Sequence, residues 1–225
     1  MINRILNLFG RKKSTQKTAP PTPSQPPIIP SIPDVYSNLV GQLGTVICFH
    51  GAGGSGEAWG KKDKGKFTES LAKAGLSFIC PPSISDKWNT TNSIGNPDIV
   101  AVLSIIKQLK AKGPFFLVGH SNGGAFVSRF ALYSGMTFSG VQYSNAKGVQ
   151  EILASAFYKV KTLFCYSVKD PIVSYQGVLY SINILKGKMV PYQSVELSKE
   201  YAQGDYRDEH EFLDTSKVSI PFFLG

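Results

Sequence analysis

The sequence predicts an α/β fold on a mostly parallel sheet, and three observations lead there. From about residue 45 onward, short apolar runs alternate with helical patterns, the order expected of successive βαβ units. The 225 residues, 42% hydrophobic and 17% charged, are enough for one domain with a real buried core. At the end of one apolar run, Gly119-His120-Ser121-Asn122-Gly123 sets a serine between two glycines and opens a helical pattern. Such a corner between strand and helix holds its serine in a strained backbone conformation with the hydroxyl lifted clear of the sheet.

The elements follow in order. Residues 1–13 place Ile2, Ile5, Leu6 and Phe9 at helical spacing ahead of Arg11-Lys12-Lys13. That apolar stretch is far too short to span a bilayer or to serve as a secretory core. It reads as a disordered terminus or as an amphipathic segment for peripheral membrane or protein docking. Residues 14–33 hold seven of the fourteen prolines and read as a semi-rigid, extended linker. The folded domain is expected over 34–225. Strands are predicted at 45–49, 76–80, 115–118, 140–143 and 162–167, with a weaker candidate at 193–197. Helices are predicted over 66–74, 97–112, 123–133, 149–157 and 173–185. Only Tyr36 to Gly44 remains before the first of these strands, so a small sheet of about six strands is expected.

Charge and cysteines narrow the function. Arg4, Arg11, Lys12, Lys13 and Lys17 lie in the first 33 residues with no acid, which leaves +4 of the net +9 for the rest of the chain. No basic run interleaved with aromatics occurs there, which argues against nucleic acid as a partner. Cys48, Cys80 and Cys165 are widely spaced inside apolar segments. They read as buried thiols in a cytoplasmic protein rather than a disulfide or metal framework.

A serine nucleophile needs a base within hydrogen-bond reach and a third group that orients the base. Of the three histidines, His120 neighbours the serine and is expected to project away from it. His50 ends the first strand and is expected to brace the following loop, which leaves His210 as base. Asp170 lies just past the strand 162–167, where catalytic groups of such sheets gather, and is the expected orienting acid. Its ordinary reading is a helix cap before Pro171. Asp205, Asp208 and Glu209 are rivals too close in sequence to His210 to come from a separate strand end. The backbone N–H groups of Asn122 and of Ala52, with Gly53 as the alternative to Ala52, are the candidate donors to a developing oxyanion. Gly53 and Trp88 are candidate substrate contacts. Trp59 and Asn145 could also line the site.

Together, His50-Gly51-Ala52-Gly53-Gly54-Ser55, Gly119-His120-Ser121-Asn122-Gly123-Gly124, Asp170-Pro171-Ile172-Val173 and His210 resemble the α/β-hydrolase fold family, with Ser, Asp and His in that family's order. The resemblance covers roughly residues 38–215, and the elbow is similar to that of small esterases and polyester depolymerases. It implies a carboxylic ester or thioester hydrolase working through an acyl-enzyme, without metal or organic cofactor, on a small-molecule or polymeric ester. Two departures stand out: few opening strands, and only Asn145 to Lys159 where many relatives insert a lid. A site without a large cap is therefore expected. The alternatives are a hydrolase-like binding module tethered by its tail, and a dinucleotide-binding oxidoreductase suggested by Gly51-Ala52-Gly53-Gly54-Ser55-Gly56. The latter lacks an acid at the end of the second strand, where the chain reads Cys80-Pro81-Pro82.

Overall fold

The computed structural model describes residues 35–63, 65–91, 95–197, 210 and 215–225. The chain divides into two units, Met1–Pro30 and Ser31–Gly225. The expected docking segment 1–13 and linker 14–33 lie outside the described residues.

The larger unit is a seven-stranded sheet. Its strands are β1 (Tyr36–Asn38), β2 (Thr45–Phe49), β3 (Ser77–Cys80), β4 (Phe115–His120), β5 (Gly140–Ser144), β6 (Thr162–Tyr166) and β7 (Tyr192–Glu196). They pair in the order β1-β3-β2-β4-β5-β6-β7. Every neighbouring pair is parallel except β1 with β3. The extra strand relative to the expected six is β1, a three-residue edge whose Tyr36 ring packs 5.5 Å from Phe78. It is too short to leave an alternating pattern in the sequence.

Strands β2 to β6 are buried on both faces, and successive residues separate two cores as the period of two requires. Val46, Cys48, Phe78, Cys80, Phe116, Val118, Leu163 and Cys165 face one side. There they meet α1 (Gly65–Lys73) and α6 (Ser216–Leu224). Ile47, Phe49, Ile79, Leu117, Val141, Tyr143 and Phe164 face the other. That side is covered by α2 (Pro97–Gln108), α3 (Asn122–Tyr133), α4 (Gln150–Ala154) and α5 (Tyr175–Gly187). A π-helical turn, Ala58–Asp63, leads into α1. Between β5 and β6 stands only the five-residue α4, and among the described residues no large cap covers the carboxyl ends of the strands.

Helix α2 begins where Asn96 caps it, its side chain accepting from the Asp98 N–H at 3.0 Å, with Pro97 in the first turn. It ends at Gln108 instead of the expected 112 because Lys110 turns to φ +52°. Helix α6 was not legible in the sequence because Pro221 interrupts its apolar run. Its Phe222 and Phe223 are nonetheless buried, and the Phe223 ring lies 4.9 Å from Phe116.

The chain leaves β2 to form β3 on one side and returns to form β4 on the other. The carboxyl ends of β2 and β4 therefore flank the crevice in which doubly wound sheets bind ligands. This order differs from the 3-2-1-4-5-6 order of dinucleotide-binding domains. The order therefore gives no support to reading Gly51–Gly56 as the dinucleotide-binding fingerprint of that arrangement.

Candidate active site

Strand β4 delivers Ser121 at the crevice, and the next residue already begins α3. Ser121 sits at φ +53°, a left-handed conformation that non-glycine residues rarely adopt. The turn closes only because its neighbours lack side chains. A Cβ on Gly119 would strike the Gly123 carbonyl, and one on Gly123 would strike the carbonyls of Phe49 and His50. On Gly124 it would strike the Ala146 methyl. The glycines thus let α3 fold back onto β4 and pack against the end of β2.

His210 and Asp170 meet at this serine. His210 Nε2 lies 2.8 Å from Ser121 Oγ. His210 Nδ1 lies 2.8 Å from Asp170 Oδ2 and 3.0 Å from Oδ1. An Nδ1–H facing a carboxylate corresponds to the tautomer whose Nε2 is a hydrogen-bond acceptor for the serine O–H. The Asp170 side chain is 1% exposed and that of His210 11%, so the pair is shielded from solvent screening.

Asp170 does not cap a helix. Its Oδ1 accepts the N–H groups of Ile172 and Val173, each at 2.8 Å, while α5 starts later behind Ser174. The carboxylate is therefore fixed by its own turn while its second oxygen faces the imidazole. Asp205, Asp208 and Glu209 lie outside the described residues.

The loop after β2 is braced as expected. His50 is 1% exposed; its Nδ1–H donates to Gly51 O at 2.8 Å and its Nε2 accepts the Ser83 N–H at 3.2 Å. Burial pushes the His50 imidazole below its ordinary pKa, partly offset by the Gly51 carbonyl and by Asp98. The Gly53 N–H donates to Asp86 O at 2.6 Å. Gly53 is thereby corrected as the alternative oxyanion donor, because its N–H is engaged. The N–H groups of Ala52 and Asn122 have no acceptor among the described residues. The latter is one of the helix-start donors that lack an intrahelical partner.

Trp88 is also corrected. It is 2% exposed, stacks on Phe126 at 4.7 Å, and donates its indole N–H to His50 O at 2.9 Å. Its ring is a core element, and the Trp88 backbone N–H binds Asn122 Oδ1 at 2.7 Å, tying the loop after β3 to the elbow. Trp59 is buried in the opposite core. Asn145 is 1% exposed, at φ +43°, and its side chain accepts the Ser167 N–H at 3.1 Å, tying the end of β5 to the end of β6. The space beside Ser121 is a cavity of about 330 Å³ whose walls include Ala125, Ala146, Gly148, Val149 and Val173.

Two supports were missed in the sequence. His120 does not simply project away: its Nε2–H donates to the His210 carbonyl at 2.6 Å. Gln142, buried on β5, donates to Thr215 Oγ1 at 2.8 Å and to Ser144 Oγ at 2.9 Å. It thereby anchors the chain five residues past His210. No periodicity or motif marks either contact.

The sequence matches no protein-family model and no curated protein. Solved structures do match. Est1E from Butyrivibrio proteoclasticus with bound ferulic acid superposes with a TM-score of 0.59 at 13% identity, over 85% of this chain and 92% of that one. A carboxylesterase from Mesorhizobium loti gives 0.57 at 13% identity over 84% and 99%. The fluorophosphonate-binding serine hydrolase FphF of Staphylococcus aureus gives 0.56 at 19% identity over 84% and 86%. At these identities the likeness is one of fold.

Proposed function

From the premise that this chain carries the α/β-hydrolase fold, we propose that it is a serine hydrolase that cleaves carboxylic esters or thioesters through a Ser121–His210–Asp170 triad. The reading rests on one observation above all. Three side chains that are 40 and 89 residues apart in sequence form a continuous hydrogen-bonded line ending at a strained serine.

In this reading, Ser121 Oγ attacks the acyl carbonyl while His210 Nε2 takes its proton. Asp170 holds the resulting imidazolium, and the N–H groups of Ala52 and Asn122 receive the oxyanion. Collapse breaks the bond to the leaving alcohol or thiol, which departs with the proton from His210. A water molecule, deprotonated by His210, then attacks the acyl-enzyme and frees the acid. The acyl group occupies the cavity beside Ala125 and Val149. With only α4 in the position of a lid, the site admits bulky or polymeric esters as well as small ones.

The test is covalent labelling by a fluorophosphonate followed by peptide mapping. The expected outcome is one adduct at Ser121, lost in Ser121→Ala together with hydrolysis of chromogenic esters. An inert Ser121 in a folded protein would instead support a non-catalytic binding module.

A further inference from the structure

Because β2 to β7 run parallel, all their amino ends lie along one edge of the sheet, opposite the edge that carries Ser121. The segments 39–44, 73–76, 107–114, 134–139, 155–161 and 186–191 form that edge, and none contains Asp or Glu. They do contain the exposed Lys73, Lys107, Lys110, Lys112, Lys159 and Lys186. By contrast, Asp86, Asp98, Asp170 and Glu196 follow or end strands at the carboxyl edge.

Lysines at the ends of α1, α2 and α5 answer helix dipoles. That does not account for Lys110, Lys112 and Lys159, which lie in the loops beyond. Nor does it account for the apolar side chains among them. Val40 is 80% exposed, Leu43 51%, Phe157 84%, Met189 90% and Leu224 45%. These are five of the nine large apolar side chains exposed among the described residues, on the same side of the sheet as these lysines.

Leu43 and Phe157 with Met189 fall on opposite halves of the edge, about 19 Å apart for four strand spacings from β2–β3 to β6–β7. Leu43 packs beside Gly75 near β2 and β3. Phe157 and Met189 project from the loops before β6 and β7. Lys188 ties those loops together, its Nζ donating to Leu153 O at 2.7 Å and Tyr158 O at 3.0 Å. Burial lowers the Lys188 pKa and the nearby Lys159 lowers it further, a repulsion that an anionic partner would relieve.

We propose that this amino-terminal edge docks on an anionic phospholipid surface, its lysines meeting the headgroups while Val40, Leu43, Phe157 and Met189 enter the boundary with the acyl chains. Lipid suits the pattern better than nucleic acid because aliphatic side chains gain nothing from a phosphate backbone but gain from an acyl boundary. Docked this way, the protein turns Ser121 away from the bilayer and draws its substrate from water. The proposal does not depend on the hydrolase reading.

The experiment is co-sedimentation of the full chain with vesicles of phosphatidylcholine, with and without phosphatidylserine. Binding is expected only with phosphatidylserine and is expected to weaken with salt. Reversing Lys110, Lys112 and Lys159 to Glu should weaken it by at least about a hundredfold, at roughly fivefold for each lysine charge lost. Phe157→Ser with Met189→Ser should weaken it by about tenfold or more, and circular dichroism checks that each variant is folded. A third variant, with Arg11, Lys12 and Lys13 changed to Ala, separates the basic tail. The proposal is overturned if the wild type ignores phosphatidylserine, if the edge variants bind unchanged, or if only the tail variant loses binding. It is also overturned if duplex DNA, and not vesicles, is captured with the same lysine dependence. Fluorophosphonate labelling of Ser121 in the same samples reports the hydrolase reading separately.

Discussion

The His120 imidazole donates its Nε2–H to the carbonyl of His210 at 2.6 Å, and the two rings stand 5.2 Å apart. The residue before the serine thus holds the backbone of the residue that faces the serine. Its other nitrogen, Nδ1, lies 3.1 Å from where a Cβ on Gly51 would be, so the same ring also abuts the loop that carries Ala52. His120→Ala is expected to lower kcat by about tenfold with little change in KM, at about the cost of one positioning hydrogen bond. His120→Gln, which keeps an N–H donor, should recover most of it. A loss of melting temperature without that rescue would mark His120 as a packing residue only.

Asp170→Asn retains an oxygen to accept the Ile172 and Val173 N–H groups, so the turn should survive. The amide cannot stabilise an imidazolium and favours the wrong tautomer, and kcat should fall by about 10⁴. Steady-state ester hydrolysis beside a thermal melt checks both halves of this expectation.

Gly123→Ala should be far more damaging than its size suggests. The new methyl would meet backbone carbonyls of Phe49 and His50, which cannot swing aside as a side chain would. Overpacking of this kind costs about 1–3 kcal/mol. The displaced end of β2 also leads into the loop that carries Ala52. Chemical denaturation should register the lost stability, and labelling of Ser121 should slow even in the fraction that remains folded.

His50 supplies an acid-sensitive term. Its folded pKa is lowered by burial, so below about pH 6.5, the ordinary histidine value, the unfolded chain binds a proton that the native state resists. Stability is fully present above that pH and is lost as the pH falls toward the folded value. Melts from pH 7.5 down to 5 should show this slope in the wild type. His50→Gln should be less stable at neutral pH but flatter in acid. An unchanged slope in the variant would assign the acid sensitivity to other groups.

The chain's punctuation made much of this legible. The run Phe115 to Val118, the glycines around Ser121 and the turn at Asp170 each encode local geometry, so the elbow and the acid's position can be read residue by residue. The short edge strand Tyr36–Asn38 and helix Ser216–Leu224 were not legible. One is too brief to show a period, and the other contains a proline that tertiary packing of Phe222 and Phe223 overrides. Trp88 and Gly53 were misplaced for a related reason. Burial of an indole and capture of an N–H by Asp86 are contacts between distant segments, and no local pattern announces them.

By itself, then, the sequence determined the alternation of strands and helices, the strained serine corner and the short list of groups able to accept its proton, because each follows from short-range sterics and residue chemistry. Only the tertiary structure decided that His210 reaches Ser121 and Asp170 at 2.8 Å, that His120 and Gln142 hold the two ends of that reach, and that one edge of the sheet gathers lysines with exposed apolar side chains. Those facts depend on which distant segments the sheet order brings together.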